Sequence, residues 1–211
     1  MAARRDWTRN FMSPNDALPP DQDEEKTRPP TMATRYDTLA DLYSAIPQLA
    51  EVTQQRPRAG EEALNYLMRL RQSTTPEEAI TFTSFAIQPK LAIWWGHECL
   101  RMMPDSLNAL DRQMMELVAG WIGRPETDMR HRVMREALWA PGKTPGVHLA
   151  LAVGWSGGSI APNDPAPVPL GRGPRAINTA ILSCLAKADL SRRPILLARF
   201  IDMAESLFKV Y

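Results

Sequence analysis

Little in this sequence points to chemistry. It has two cysteines in 211 residues, Cys99 and Cys184. They are far apart, each in a helix-like stretch. A disulfide between them is formally open, but two buried free thiols in a reducing compartment fit the pattern better. The three histidines, His97, His131 and His148, fall on three different predicted helices, so no spacing favours a zinc site. Charge of either sign is not in excess: 25 Lys and Arg oppose 24 Asp and Glu, for a net charge of +1. No overall field therefore draws in nucleic acid or anionic lipid. No run approaches the roughly 20 apolar residues of a membrane span, so membrane insertion is not expected. The start carries Arg4 and Arg5, but Asp6 follows and no apolar h-region comes after. A secretory signal is thus not read, and the expected location is cytoplasmic. Strand signals are also weak, because no alternating Val/Ile/Thr run is bounded by a hairpin turn.

What the chain does have is proline, 19 residues of it, in a tail, in a late loop and at many of the places where helices start or stop. Residues 1–33 are expected to form a disordered tail. Pro14, Pro19, Pro20, Pro29 and Pro30 flank the acidic run Asp21–Glu25. Such a segment cannot bury enough apolar surface to offset about 1–2 kcal/mol of backbone entropy per residue. Within it, Trp7 and Phe11 beside Arg4, Arg5 and Arg9 form a candidate docking motif.

Residues 34–211 are read as a single helical domain. Leu39, Leu42, Ile46 and Leu49 recur at helical spacing, with Pro47 set to kink or split the segment. A second helix is read over 61–72. Thr75-Pro76-Glu77-Glu78 is a helix start, with Thr75 as cap, Pro76 at the first position and Glu78 closing a capping box. Further helices begin at Pro89, after Pro104-Asp105-Ser106, at Pro125, at Thr144-Pro145, at Ala176 and at Pro194. Trp94 and Cys99 are placed in the core, as are Met129, Val133, Met134, Ala137 and Leu138 on one side of the helix after Pro125. The expected fold is all-α: about eight helices in antiparallel hairpins, forming a compact layered bundle.

Ser156-Gly157-Gly158-Ser159 is the one catalytic-looking signature. A nucleophile elbow needs strand, sharp turn and helix; here a helix comes before and a proline-rich loop after. The run reads instead as a helix terminus, with a glycine in the left-handed conformation and Trp155 as anchor. Gly171-Arg172-Gly173-Pro174-Arg175 lacks the P-loop pattern and reads as the lead-in to a helix. His97 and Cys99 are two apart on a helix and point about 200° away from each other, so they cannot share one ion. No metal, cofactor or catalytic residue is expected. Arg124, Arg130, Arg132 and Arg135 form a candidate interaction surface for an acidic partner. His97, Glu98 and Arg101 are the polar groups that would line an inter-helix pocket in the alternative reading, a small-molecule-binding protein or an enzyme.

Three segments taken together are similar to an uncharacterised bacterial family: Pro89–Trp95; Gly120-Trp121-Ile122 with Pro125-Glu126 and Arg130; and Thr144-Pro145 through Ala150–Val153 to Trp155–Ser159. The resemblance covers roughly Thr75 to Pro169. It implies a small helical accessory protein, of a kind often encoded near type VI secretion genes, and carries over no catalytic residue. The expected function is a non-enzymatic adaptor or chaperone-like role. The partner would be another protein, such as a secretion-system component or effector, and not nucleic acid. The tail, the Pro162–Pro174 loop and the arginine-bearing helix are the candidate surfaces.

Overall fold

The computed structural model describes residues 33–159 and 166–210, which fall within one compact unit. They form ten α-helices: α1 (Leu39–Ala45), α2 (Gln48–Val52), α3 (Ala63–Arg71), α4 (Glu78–Ala86), α5 (Pro89–Arg101), α6 (Ala109–Gly123), α7 (Thr127–Trp139), α8 (Pro145–Gly154), α9 (Arg172–Leu185) and α10 (Arg193–Val210). No strand occurs among the described residues; two isolated bridges, Thr34 to Ile87 and Ser159 to Pro167, pin chain crossings. The all-α expectation holds, with more helices than the eight or so expected. Pro47 splits the first segment into α1 and α2, since it has no N–H to continue the ladder.

The centre of the bundle is α8. All ten of its residues are apolar except His148, and nine are buried. A helix that is apolar all round must be covered all round, and α5, α6, α7 and α9 each pack against this one. Glycines permit the closest approaches. A Cβ on Gly146 would stand 2.7 Å from both the Cα and the carbonyl oxygen of Asp111 in α6. A Cβ on Gly154 would stand 2.5 Å from the Met134 side chain in α7. A Cβ on Gly173, in the first turn of α9, would stand 3.0 Å from the Trp155 carbonyl oxygen. Helix α9 starts at Arg172, four residues ahead of the expected Ala176: Gly173 and Pro174 belong to the helix, not to its lead-in.

Asp111 joins two helix starts. Its carboxylate accepts the backbone N–H of Asn108, while Asn108 Oδ1 accepts that of Asp111, which makes a reciprocal capping box. The other carboxylate oxygen accepts the N–H of Gly146 at 2.8 Å, in the first turn of α8. Asp111 is fully buried, yet both its oxygens are bonded and both helix dipoles present their positive ends to it. Thr144 stands at the N-cap position of α8 but makes no side-chain cap bond.

Glu78 behaves similarly. Thr75 donates its hydroxyl to Glu78 Oε1 at 2.8 Å. The expected capping box does not close; instead Glu78 Oε2 accepts the backbone N–H groups of Gln54 and Gln55, tying the α2–α3 connection to α4. Tyr66 donates to the Gln55 carbonyl, and Arg69 pairs with Glu61 at 2.7 Å over the same connection.

Of the adjacent tryptophans, Trp95 is the core residue, fully buried with its indole N–H donated to the Phe200 carbonyl of α10 at 3.1 Å. Trp94, expected inside, is among the exposed residues; the two side chains leave α5 about 100° apart, and only one can face the core. Cys99 and Cys184 are both free and buried. Burial pushes both thiols up, Cys99 well above the usual range and Cys184 to about 11.

Two outcomes are expected. Asp111→Ala leaves the buried Gly146 N–H and the more accessible Asn108 N–H without their acceptor and should cost about 1–3 kcal/mol; Gly146→Ala forces α6 and α8 apart and should cost about 1–3 kcal/mol. Urea unfolding measures both, and an unchanged midpoint for either would mean that the α6–α8 contact is not as described. A thiol reagent should leave both cysteines of the folded chain unmodified, and modify both once the chain is unfolded in urea.

Candidate functional site

The end of α8 is closed by a side chain from α7. Arg130 is buried and donates to the carbonyls of Gly154 at 2.7 Å and Ser159 at 3.1 Å. Its other terminal nitrogen donates to His131 Nε2 at 2.8 Å, so that ring nitrogen is the acceptor and the ring proton sits on Nδ1. A cation at a helix C-terminus meets the negative end of the dipole. Burial lowers the guanidinium from its ordinary value, but the carbonyls keep it bonded. Arg130 was expected on the surface with its neighbours. It is not there, because α7 turns that face toward the α8 terminus.

The loop it holds is the Ser156–Ser159 turn. Gly158 has φ +65°, the left-handed conformation, with Arg130 over the position of a Cβ at 3.1 Å. Gly157 has open space around it. Ser156 donates its hydroxyl back to the Val153 carbonyl at 2.8 Å. A serine bonded to its own helix terminus is positioned as a cap. A cavity of about 40 Å³ lies beneath, bordered by Arg35, Trp155, Ser156 and Gly157, a volume on the scale of a single water molecule.

His97, Glu98 and Arg101 do come together at the end of α5. His97 Nδ1 is 3.2 Å from Glu98 Oε1, and the Arg101 guanidinium pairs with Glu98 Oε2. Burial alone would raise the Glu98 carboxyl, but the bonds from Arg101 and His97 outweigh it and hold it below its ordinary value. None of the three borders the 40 Å³ cavity. None borders the larger recess of about 740 Å³ either, which opens between the approach to α1, the 57–64 loop and Phe208. No group of three or more His, Cys, Asp or Glu among the described residues is placed to hold a metal ion.

The arrangement that stands out is the outer side of α7. Arg132 and Arg135 are exposed there, as is Arg124 at the end of α6, and none makes an ion pair among the described residues. The helix ends in Leu138 and Trp139, and Trp139 is 85% exposed. Leu138 was expected on the buried side with Met134 and Ala137; it is instead 52% exposed, about 100° around the helix from Ala137. Trp139 was not singled out, though the pattern held the signal. It lies two residues past buried Ala137, about 200° around the helix, and just before the Pro141-Gly142 stop. Trp7 and Phe11 lie outside the described residues.

One family model, described as a family of unknown function (DUF6931), matches residues 66–208, well over half of the chain. The chain belongs to that family. The DUF6931 match begins in α3 and runs into α10, so it takes in the whole of α8 and every helix packed on it. It extends the expected span at both ends. No curated protein and no solved structure matched the chain, and no helix among the described residues is long and apolar enough to cross a membrane.

The two glycines of the turn should separate on substitution. Gly158→Val puts a β-branched residue at positive φ and against Arg130, and should cost about 1–3 kcal/mol. Gly157→Val should be close to neutral, and Ser156→Ala nearly silent. Thermal unfolding of the three variants checks this; equal losses at 157 and 158 would contradict the geometry of the turn.

Proposed function

We propose that this DUF6931 protein is a non-enzymatic adaptor or accessory factor that binds another protein through the outer side and end of α7. The observation that supports this most directly is Trp139, a large apolar side chain left almost wholly in water at the end of an ordered helix. Tryptophan and arginine dominate the energetics of protein interfaces, and here Trp139 and Leu138 stand beside arginines that make no ion pair among the described residues. Burying one such ring removes about 150–250 Å² from water. An acidic partner would both cover the ring and neutralise Arg132 and Arg135. The process served, in this reading, is bacterial type VI secretion. That part is carried only by what the resemblance of Pro89–Trp95, Gly120–Arg130 and Thr144–Ser159 implies; the DUF6931 family itself is described as of unknown function.

Individually purified components of a type VI apparatus, titrated against the full chain, test both parts. The expected result is one component that binds the native protein and loses about 30-fold in affinity, some 2 kcal/mol, with Trp139→Ala, while thermal stability is unchanged. Binding that ignores Trp139 would remove the surface from the proposal. Binding by none of the components would remove the secretion assignment.

A further inference from the structure

Buried charges are ordinarily paired with an opposite charge, and Arg130 is not. Its guanidinium is held by two carbonyls, Gly154 at 2.7 Å and Ser159 at 3.1 Å, and by one imidazole, His131 Nε2 at 2.8 Å. The carbonyls accept at any pH. The imidazole accepts only while it is neutral. A proton on Nε2 turns that acceptor into a donor and sets two cations in contact. Nothing around the pair offsets such a proton. On α7 itself, Asp128 lies one turn before His131 and Arg135 one turn after, and His131 makes no ion pair among the described residues. Helix α8 packs on α7, and its one titratable side chain, His148, lies near its start, at the opposite end. Helix α6 packs on α7 as well; it carries Arg112 and Glu116, both exposed, and Asp111, which is bonded to the starts of α6 and α8. Arg124 follows it. Beside the turn, Arg172 of α9 lies over the Trp155 ring at 5.5 Å, and Arg35 borders the small cavity.

We propose that the Arg130–His131 contact is an acid-sensitive latch on the C-terminal end of α8. With His131 neutral, the guanidinium is fixed on three sides, and its Nη2 stands 3.1 Å from the position of a Cβ on Gly158. With His131 protonated, the two side chains must separate. The imidazole is the one that moves, because it is half-buried while Arg130 is 7% exposed. One buried N–H of Arg130 is then left without its acceptor. Arg130 is also what ties the Ser159 carbonyl to α7, so the Ser156–Ser159 turn loosens with it. An imidazole ordinarily takes up its proton between about pH 5 and 8. The device therefore works in one direction: the turn is held at neutral pH and released as the pH falls. The start of α8 is closed by Asp111 and lies outside its reach.

Amide hydrogen exchange of the full chain, followed by NMR and corrected for the intrinsic pH dependence of exchange, tests this between about pH 7.5 and about pH 5.5. The amides to follow are Trp155, Ser156 and Val168, bonded to the carbonyls of Leu151, Val153 and Gly158. Their protection should fall about tenfold at the lower pH, the size of one lost hydrogen bond. His131→Gln offers an acceptor at every pH and should keep them protected at both. His131→Lys carries its charge at both and should leave them weakly protected at both; where that variant does not fold, the Gln variant alone decides. A second source of acid sensitivity has to be separated. Burial and the Lys143 ammonium hold His148 below its ordinary value, so stability tied to neutral His148 is also lost as the pH falls. His148→Gln should leave the loss at Trp155, Ser156 and Val168 in place. A loss in His131→Gln equal to that of the native chain would overturn the latch, as would native protection that does not change with pH. Disappearance of the loss in His148→Gln would overturn it in favour of the other end of α8.

Discussion

The packing of α8 constrains the rest of this structure. An apolar helix of ten residues has no face to give to water, so neighbours must surround it, and they must come close because the helix is short. Glycine at 146, 154 and 173 provides that closeness at three separate contacts, with α6, α7 and α9. Close approach of helix ends creates its own difficulty: terminal N–H and C=O groups enter the core with no partner in their own helix. Asp111 resolves it at one end of α8 and Arg130 at the other. Each reaches in from a different helix, so closing α8 also locks α6 and α7 in register with it.

The same device recurs. Glu78 closes the backbone of the α2–α3 connection, and Arg193 donates to the Ala186 and Ala188 carbonyls at the end of α9. In these places an ionisable side chain is bonded to peptide groups and not to an opposite charge. A buried ion in this position is stabilised by fixed dipoles, and removing it exposes orphaned backbone groups rather than a partner charge. It also explains why the chain holds buried carboxylates and a buried guanidinium without those groups converging on a pocket.

Helix identity and most boundaries were legible because proline, glycine and cap residues mark them locally. The Pro47 split, the Pro89 and Pro145 starts and the Ser156–Ser159 stop all follow from backbone rules that need no tertiary knowledge. What was not legible depends on which neighbour a side chain meets. Thr144 looks like the cap of α8, but Asp111, 33 residues earlier, takes that place. Thr75 and Glu78 look like a local capping box, but Glu78 reaches back to Gln54 and Gln55. Arg130 reads as one of four surface arginines, and only the position of the α8 terminus turns it inward. Trp94 and Trp95 are equivalent as composition; the arrival of α10 at Phe200 decides between them. Local grammar fixes where helices are, while the assignment of polar groups waits on the three-dimensional partner.

That distinction bears on the candidate surface. Groups that serve the fold here are recognisable by having their bonds made within the chain, as Arg130, Asp111, Glu78 and Ser156 do. The outer side of α7 has the opposite character: Arg132 and Arg135 without an ion pair among the described residues, and a tryptophan and a leucine left exposed. Folding does not require Trp139, since Ala137 already completes the buried stripe of that helix. A protein that encloses an entire helix as tightly as α8 has the means to cover one more ring, and the packing does not. The apolar area left at that end is therefore the part of the molecule whose presence the fold leaves unexplained, and the proposed binding would account for it where stability does not.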